Sequence, residues 1–236
     1  MPMVSDERAA YALASVSSAV APLFRGRLCD RLLARRDART FERHAVIFDL
    51  GETDRSLFFI RKGLVKTGTI TEEGREIIYD VRKDGDVVGE LCALDLSRRD
   101  RAVAVSRTTA IVVGFEEVIE ALAGNASMLS TFIGDLGRVL ANSYEQLNRV
   151  ARGDVTFGLV SVLRTLAQKL GRPSGQLIEI DAYLTQEELA QMVVARRERV
   201  STALNALRRD GVVQYSAGGH LLVDLEALDR HVELAT

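Results

Sequence analysis

Cysteine and histidine are scarce in this sequence, and their scarcity closes off several chemistries. Cys29 and Cys92 are the only cysteines in 236 residues. Two such distant thiols predict buried side chains rather than a disulfide framework. An iron–sulfur cluster, which needs four cysteine ligands, is not expected. His44, His220 and His231 are scattered; no metal site is expected from them, and haem ligation by His44 or Cys92 is disfavoured. Charge of one sign is lacking too: 31 basic and 33 acidic residues leave a net charge of −2. That gives no global pull toward nucleic acid or anionic membrane, although a small module can be basic on one face alone. No run is apolar for the length of a bilayer crossing. The first residues, MPMVSDERAA, lack the basic start and apolar stretch of a secretory signal. A cytoplasmic protein without membrane attachment is expected. No Ser/His/Asp grouping or Walker loop is present, so no catalytic residue is assigned and an enzyme is not expected.

What is present changes character along the chain. Residues 5–37 are rich in Ala, Leu and Arg at helical spacing and predict one or two short helices. Residues 40–115 break into short β-branched and aromatic runs, such as SLFFIRKG, LVKTGTIT, REIIYDV and TAIVVGF, with Gly51, Gly63, Gly74, Gly85 and Gly89 at the breaks. Many short strands with regular turn signals predict a β-sandwich or barrel. From Asn125 to about Leu170 the pattern turns helical. Leu129, Phe132, Leu136, Val139, Ser143, Gln146 and Val150 step by three and four, with Leu140 and Leu147 widening the stripe. Such a seam predicts a partner helix, most simply a twin in a homodimer paired through residues 125–153. GRPSGQ at 171–176 reads as a break or loop.

The last segment has a distinct order. Thr185, with Glu188 three residues on, forms a capping box at the head of a helix. A second helix, ARRERVSTALNALRRDG, ends at Gly211, and the strands VVQY and HLLV flank SAGG. Helix, turn, helix and hairpin make a winged helix-turn-helix, in which the second helix enters the major groove of double-stranded DNA. That helix opens Arg196-Arg197-Glu198-Arg199, with Ser201 and Thr202 a turn further on. Arginine reads guanine bidentately and glutamate accepts from cytosine N4. Val200, Ala203, Leu204 and Leu207 form the opposite, buried stripe. Thr185 and Gln186 sit where a helix start holds phosphate. Against this reading, Val193-Val194-Ala195 at the turn lacks the glycine often found there.

One stretch needs a reason of its own: DGDVVGELCALDLSRRDRAVA at 84–104 sets Glu90 and Arg101 on either side of a loop. The two form either a plain salt bridge or the ends of a phosphosugar grip. With GDVVGEL and LTQEELAQMVVARRERVSTALNALRRDGVV, the chain resembles the CRP/FNR superfamily of bacterial transcription regulators over about residues 20–230. The resemblance implies an α+β chain: a jelly-roll-like β-roll effector domain at 1–124, a dimerisation helix at 125–153 and a winged helix-turn-helix at 154–236. It implies a cyclic nucleotide, cyclic AMP or cyclic GMP, as effector. Glu90 would then take the ribose 2′-hydroxyl and Arg101 the phosphate, with Gly89 and Leu91 allowing close backbone approach. The hydroxyl that follows the arginine in the family is replaced by Ala102, and the Thr-Ser pair of the dimer helix by Ser143 and Tyr144. The loop between Glu90 and Arg101 is one residue longer than usual. In the reading helix the family's Arg-Glu pair maps to Arg197 and Glu198, Arg196 stands at the cap, and Thr202 replaces an arginine. The half-site read is therefore expected to differ from the commonest one. DNA, a second copy of the chain and RNA polymerase are the implied partners. Two alternatives remain open: a nucleotide-binding module that does not read DNA, and a member that senses haem, a gas or another non-nucleotide signal.

Overall fold

The structure is a computed structural model and describes residues 33, 37–94, 97–180 and 184–234. Apart from Leu33 and Asp37, the helices expected over 5–37 lie outside the described residues, as does Cys29. The chain divides into two compact units, with the boundary between Tyr144 and Glu145.

The first unit is a roll of two antiparallel four-stranded sheets. One runs β1 (Ala38–Phe41), β8 (Thr108–Gly114), β3 (Ser56–Lys62), β6 (Val87–Val88); the other runs β2 (Val46–Phe48), β7 (Arg101–Ala104), β4 (Val65–Ile70), β5 (Glu76–Arg82). β3 is apolar without alternation because both of its faces are covered. Leu57 and Phe59 join Val87, Cys92, Ile111 and Val113 in a cluster that also takes Leu33 and, from α1 (Phe115–Ala123), Val118 and Leu122. Phe58 and Ile60 point the other way, into the inter-sheet core with Phe48, Val65, Val88, Ala102, Ala104 and Ala110. Cys92 is a buried free thiol, as expected.

α2 (Ala126–Arg152) supplies the end of the first unit and the start of the second. Its expected seam needs correcting. Phe132, with Met128, packs on the roll's own core, and Val139 and Gln146 are half-buried. The exposed apolar row is Leu129, Ile133, Leu136, Leu140, Tyr144, Leu147 and Val150. The helix thus uses one stripe within the chain and leaves an adjacent four–three stripe uncovered. The expected continuous helical pattern to Leu170 is also interrupted. Asp154 caps a new helix, α3 (Val155–Leu170), by accepting from the Thr156 and Phe157 amides.

The second unit builds on α3. Leu159, Leu163, Leu166 and Ala167 are buried along it, and it packs against α4 (Gln186–Val193), α5 (Arg197–Arg209) and α6 (Leu225–Leu234). The stretch read as a break at 171–176 is instead a hairpin, β9 (Gly171–Ser174) and β10 (Leu177–Ile180). It pairs with β11 (Val213–Tyr215) and β12 (Leu221–Val223) in the sheet order β11-β12-β10-β9. Among the described residues no helix is long and apolar enough to cross a membrane.

Candidate functional site

In the first unit, the Gly-Glu-Leu turn is held by an arginine that pattern reasoning did not single out. Gly89 has φ +96 and precedes a short 3-10 helix, Glu90–Ala93. A Cβ there would meet Arg98 Nη1 at 2.7 Å and the Ser56 carbonyl oxygen at 2.9 Å, so the position needs glycine. The Arg98 side chain is fully buried; it donates to the Gly89 carbonyl at 3.0 Å and the Ser56 carbonyl at 2.6 Å. Its guanidinium lies 4.1 Å from the Phe48 ring centroid, a desolvated cation–π contact.

Glu90 and Arg101 are not paired with each other. Glu90 Oε1 accepts from Arg82 Nη2 at 2.9 Å. Arg82 Nε also lies 2.8 Å from Asp80 Oδ2, as an ion pair off hydrogen-bond alignment. Asp80 and Arg82 meet because they stand two apart on β5 and so share a face. Burial opposes the charge on Arg82, but Glu90, Asp80 and Asp86 outweigh it and hold the guanidinium's proton more firmly than usual. Asp100 is buried beside Glu90, and burial first, then the Glu90 charge, push its carboxyl up to about 6 against the pull of Arg98. Arg101 opens β7 opposite Gly68, with Nε 3.4 Å from Asp49 Oδ1. Ala102 is fully buried opposite Thr67 and Phe48. Ser143 returns its hydroxyl to the Val139 carbonyl and Tyr144 is exposed, so within one chain neither side chain is enclosed with the grip.

The buried polar atoms left without a hydrogen bond gather here. Among the described residues they are Arg82 Nε, Arg98 Nε, Asp100 Oδ1 and Arg101 Nε in the roll, and Gln191 Oε1 elsewhere. Of these, Arg82 Nε and Arg101 Nε still face Asp80 and Asp49 as ion pairs. Arg82, Arg98 and Asp100 are the functional candidates that the sequence reading missed. An acid and a base at alternate positions of a half-apolar strand, Asp80 and Arg82, were the available signal.

In the second unit the helix-turn-helix is built as its pattern implies. Thr185 accepts from the Glu188 amide at 3.1 Å while Glu188 Oε2 accepts from the Thr185 amide at 2.9 Å, completing the capping box. Thr185 is exposed and Gln186 half-buried. The missing turn glycine is answered by Val194 itself, which takes the left-handed conformation at φ 55, ψ 43. That is a strained choice for a β-branched residue. Arg196, Arg197, Glu198 and Arg199 are exposed at the head of α5, whereas Val200, Ala203, Leu204 and Leu207 are buried. Ser201 is half-buried; Thr202 is exposed and donates its hydroxyl to the Glu198 carbonyl. The Ser216–Gly219 turn joins β11 to β12, and at its foot His220 Nδ1 lies 2.9 Å from Glu179 Oε1.

A roll with an unsatisfied polar cradle and a winged helix-turn-helix define a sensor coupled to a DNA-reading module. Residues 38–125 match the cyclic nucleotide-binding domain and residues 159–231 the Crp-like helix-turn-helix domain. The chain is 29% identical over 191 residues to the CRP-like cAMP-activated global transcriptional regulator of Mycobacterium tuberculosis, covering 80% of this chain and 85% of that protein. It is 28% identical over 177 residues to the global nitrogen regulator of a Nostoc species, covering 74% and 79% of the two. The fold is that of FixK2 from Bradyrhizobium japonicum, with a TM-score of 0.72 at 16% identity over 83% of this chain and 96% of that one. The chain belongs to the CRP/FNR superfamily and is a DNA-binding transcription regulator with a ligand-responsive sensor domain.

Proposed function

We propose that this regulator works as a homodimer paired through residues 125–153. A small effector held in the roll of residues 1–124 sets how two copies of residues 154–236 meet double-stranded DNA in the cytoplasm. The observation that carries the reading is the exposed Arg196–Arg199 run at the head of α5, opposite a buried apolar stripe. Arg197 reads guanine and Glu198 accepts from cytosine. Arg196, Thr185, Gln186 and Ser201 hold phosphates, and Thr202 lends an acceptor at the base edge. The uncovered row from Leu129 to Val150 supports pairing with a twin helix. Two identical modules then read a near-palindrome with half-sites about one helical turn, roughly 34 Å, apart. RNA polymerase is the partner through which such a DNA-bound dimer acts.

The effector is a small anion gripped by Arg101, with Gly89, Glu90, Leu91 and Ala102 as its close surroundings and Ser143 and Tyr144 contributed along the dimer helix. Cyclic AMP and cyclic GMP are the first probes, a choice supported by the match to the cyclic nucleotide-binding domain. The effector acts by binding one packing of the dimer helices better than the other. The test is a gel shift on a random duplex pool, with each cyclic nucleotide and without, read by sequencing the bound fraction. A near-palindrome should be enriched, and its yield should change with an effector. A bound fraction with the composition of the input pool would overturn the DNA reading.

A further inference from the structure

The carboxylate that the grip reading assigns to a ribose hydroxyl already has a cation on it. Arg82 is buried on β5, and its Nη2 donates to Glu90 Oε1 at 2.9 Å while its Nε faces Asp80 at 2.8 Å. Only 17% of the Glu90 side chain is exposed, so solvent does not readily screen or replace this contact. A carboxylate attracts a neutral hydroxyl through its charge, and a charge-assisted bond to a guanidinium is the stronger competitor for it. Arg82 is itself over-supplied, with Asp80, Asp86 and Glu90 around it. Losing Glu90 would nevertheless undo the one aligned hydrogen bond that the structure gives its guanidinium. On the other side of the loop, Arg101 meets Asp49 only at 3.4 Å and its Nε has no hydrogen-bond partner. Arg101 therefore keeps a donor without an aligned acceptor, while Oε1 of the hydroxyl-reading carboxylate is held by Arg82.

We propose that Arg82 is the specificity-determining residue of the roll: by holding Glu90 it withdraws hydroxyl recognition. The pocket then takes a small anion through its anionic group and is indifferent to a sugar 2′-hydroxyl. This rests on the reading of the roll as the effector site. A nucleotide bound through Arg101 gains nothing from its ribose, and replacing Arg82 with an apolar residue returns Glu90 to that task.

Calorimetric titration of the full-length protein with cyclic AMP and with 2′-deoxy cyclic AMP tests this, on wild type and on Arg82→Leu. Arg82→Met, which keeps much of the bulk and has no donor for Glu90, is a second variant should Arg82→Leu fail to fold. The expected result is wild-type affinities within about threefold of each other, or no binding of either probe. In the variant, cyclic AMP should bind tighter and be preferred by about tenfold, the order of one hydrogen bond to a charged group. A wild type that already prefers cyclic AMP tenfold overturns the inference, because Glu90 then reads the hydroxyl despite Arg82. Equal affinities in wild type and variant also overturn it, because Glu90 then reads no hydroxyl at all. If neither probe binds either protein, the nucleotide form of the effector reading falls, and the inference with it.

Discussion

Arg98 lies beneath the Gly89 turn and donates from Nη1 to the Gly89 carbonyl oxygen at 3.0 Å. The same guanidinium reaches the Ser56 carbonyl on β3 and stacks on Phe48, so one side chain joins the Gly89 turn to both the strand and the core. Arg98→Met keeps the bulk and removes the donors, leaving the Ser56 carbonyl unpaired and the Gly89 carbonyl with only the Cys92 amide. A loss of roughly 2–4 kcal/mol in unfolding free energy is expected, measured by urea denaturation of the full chain. A loss under about 0.5 kcal/mol, the level of an ordinary surface change, would show that Arg98 does not hold the turn.

Asp100 gives the sensor a pH dependence of defined sign. Its carboxyl is raised to about 6, by burial and then by Glu90, so the folded state binds its proton more tightly than the unfolded chain does. For a raised acid the stabilisation is full below the unfolded value near 4 and is lost as pH rises through the folded value. Asp100→Asn removes the charging cost and is expected to stabilise the protein at pH 8, by at most about 3 kcal/mol. The difference from wild type should disappear by about pH 4. Melting curves of both proteins across that window check it. A variant less stable than wild type at pH 8 would mean that the Arg98 attraction outweighs burial.

The roll and the reading head were legible in the sequence to different depths. β3 and β8 announced themselves as short apolar runs because both their faces are covered. The Arg196–Arg199 run and its buried partner stripe were legible because helical period separates them unambiguously. β9 was not, since Gly171-Arg172-Pro173-Ser174 carries turn residues; it is an exposed edge strand paired only with β10, where proline is tolerated. Phe132 sat on the expected seam because period alone cannot say which of two adjacent stripes meets the chain's own core. The Arg82–Glu90 pair was hidden for a similar reason. Its partners lie on a strand and in a loop, and only their convergence shows that a charged residue points inward.

That distinction between stripes has a direct consequence for assembly. Ile133 is 61% exposed, whereas Phe132 packs on the roll. Ile133→Glu is expected to shift sedimentation from dimer to folded monomer. Phe132→Ala should lower the melting temperature and leave the dimer intact. The opposite pattern would return the seam to the register that includes Phe132.

Val194 carries strain in the helix-turn-helix at φ 55. A left-handed conformation costs a non-glycine residue about 1–2 kcal/mol, and the extra freedom of glycine in the unfolded chain returns roughly half of that. Val194→Gly is therefore expected to raise thermal stability slightly, by about 0.5–1 kcal/mol. A fall in the melting temperature would show that the valine side chain's packing exceeds its strain.

DNA reading by α5 is tested most directly by binding-site selection with wild type and Arg197→Ala, each at two salt concentrations. Wild type is expected to enrich two inverted half-sites about one helical turn apart, and Arg197→Ala to lose about 1–3 kcal/mol and relax preference at one base pair per half-site. An enriched site identical for the two proteins, with equal affinity, would contradict the assignment of α5 as the reading helix.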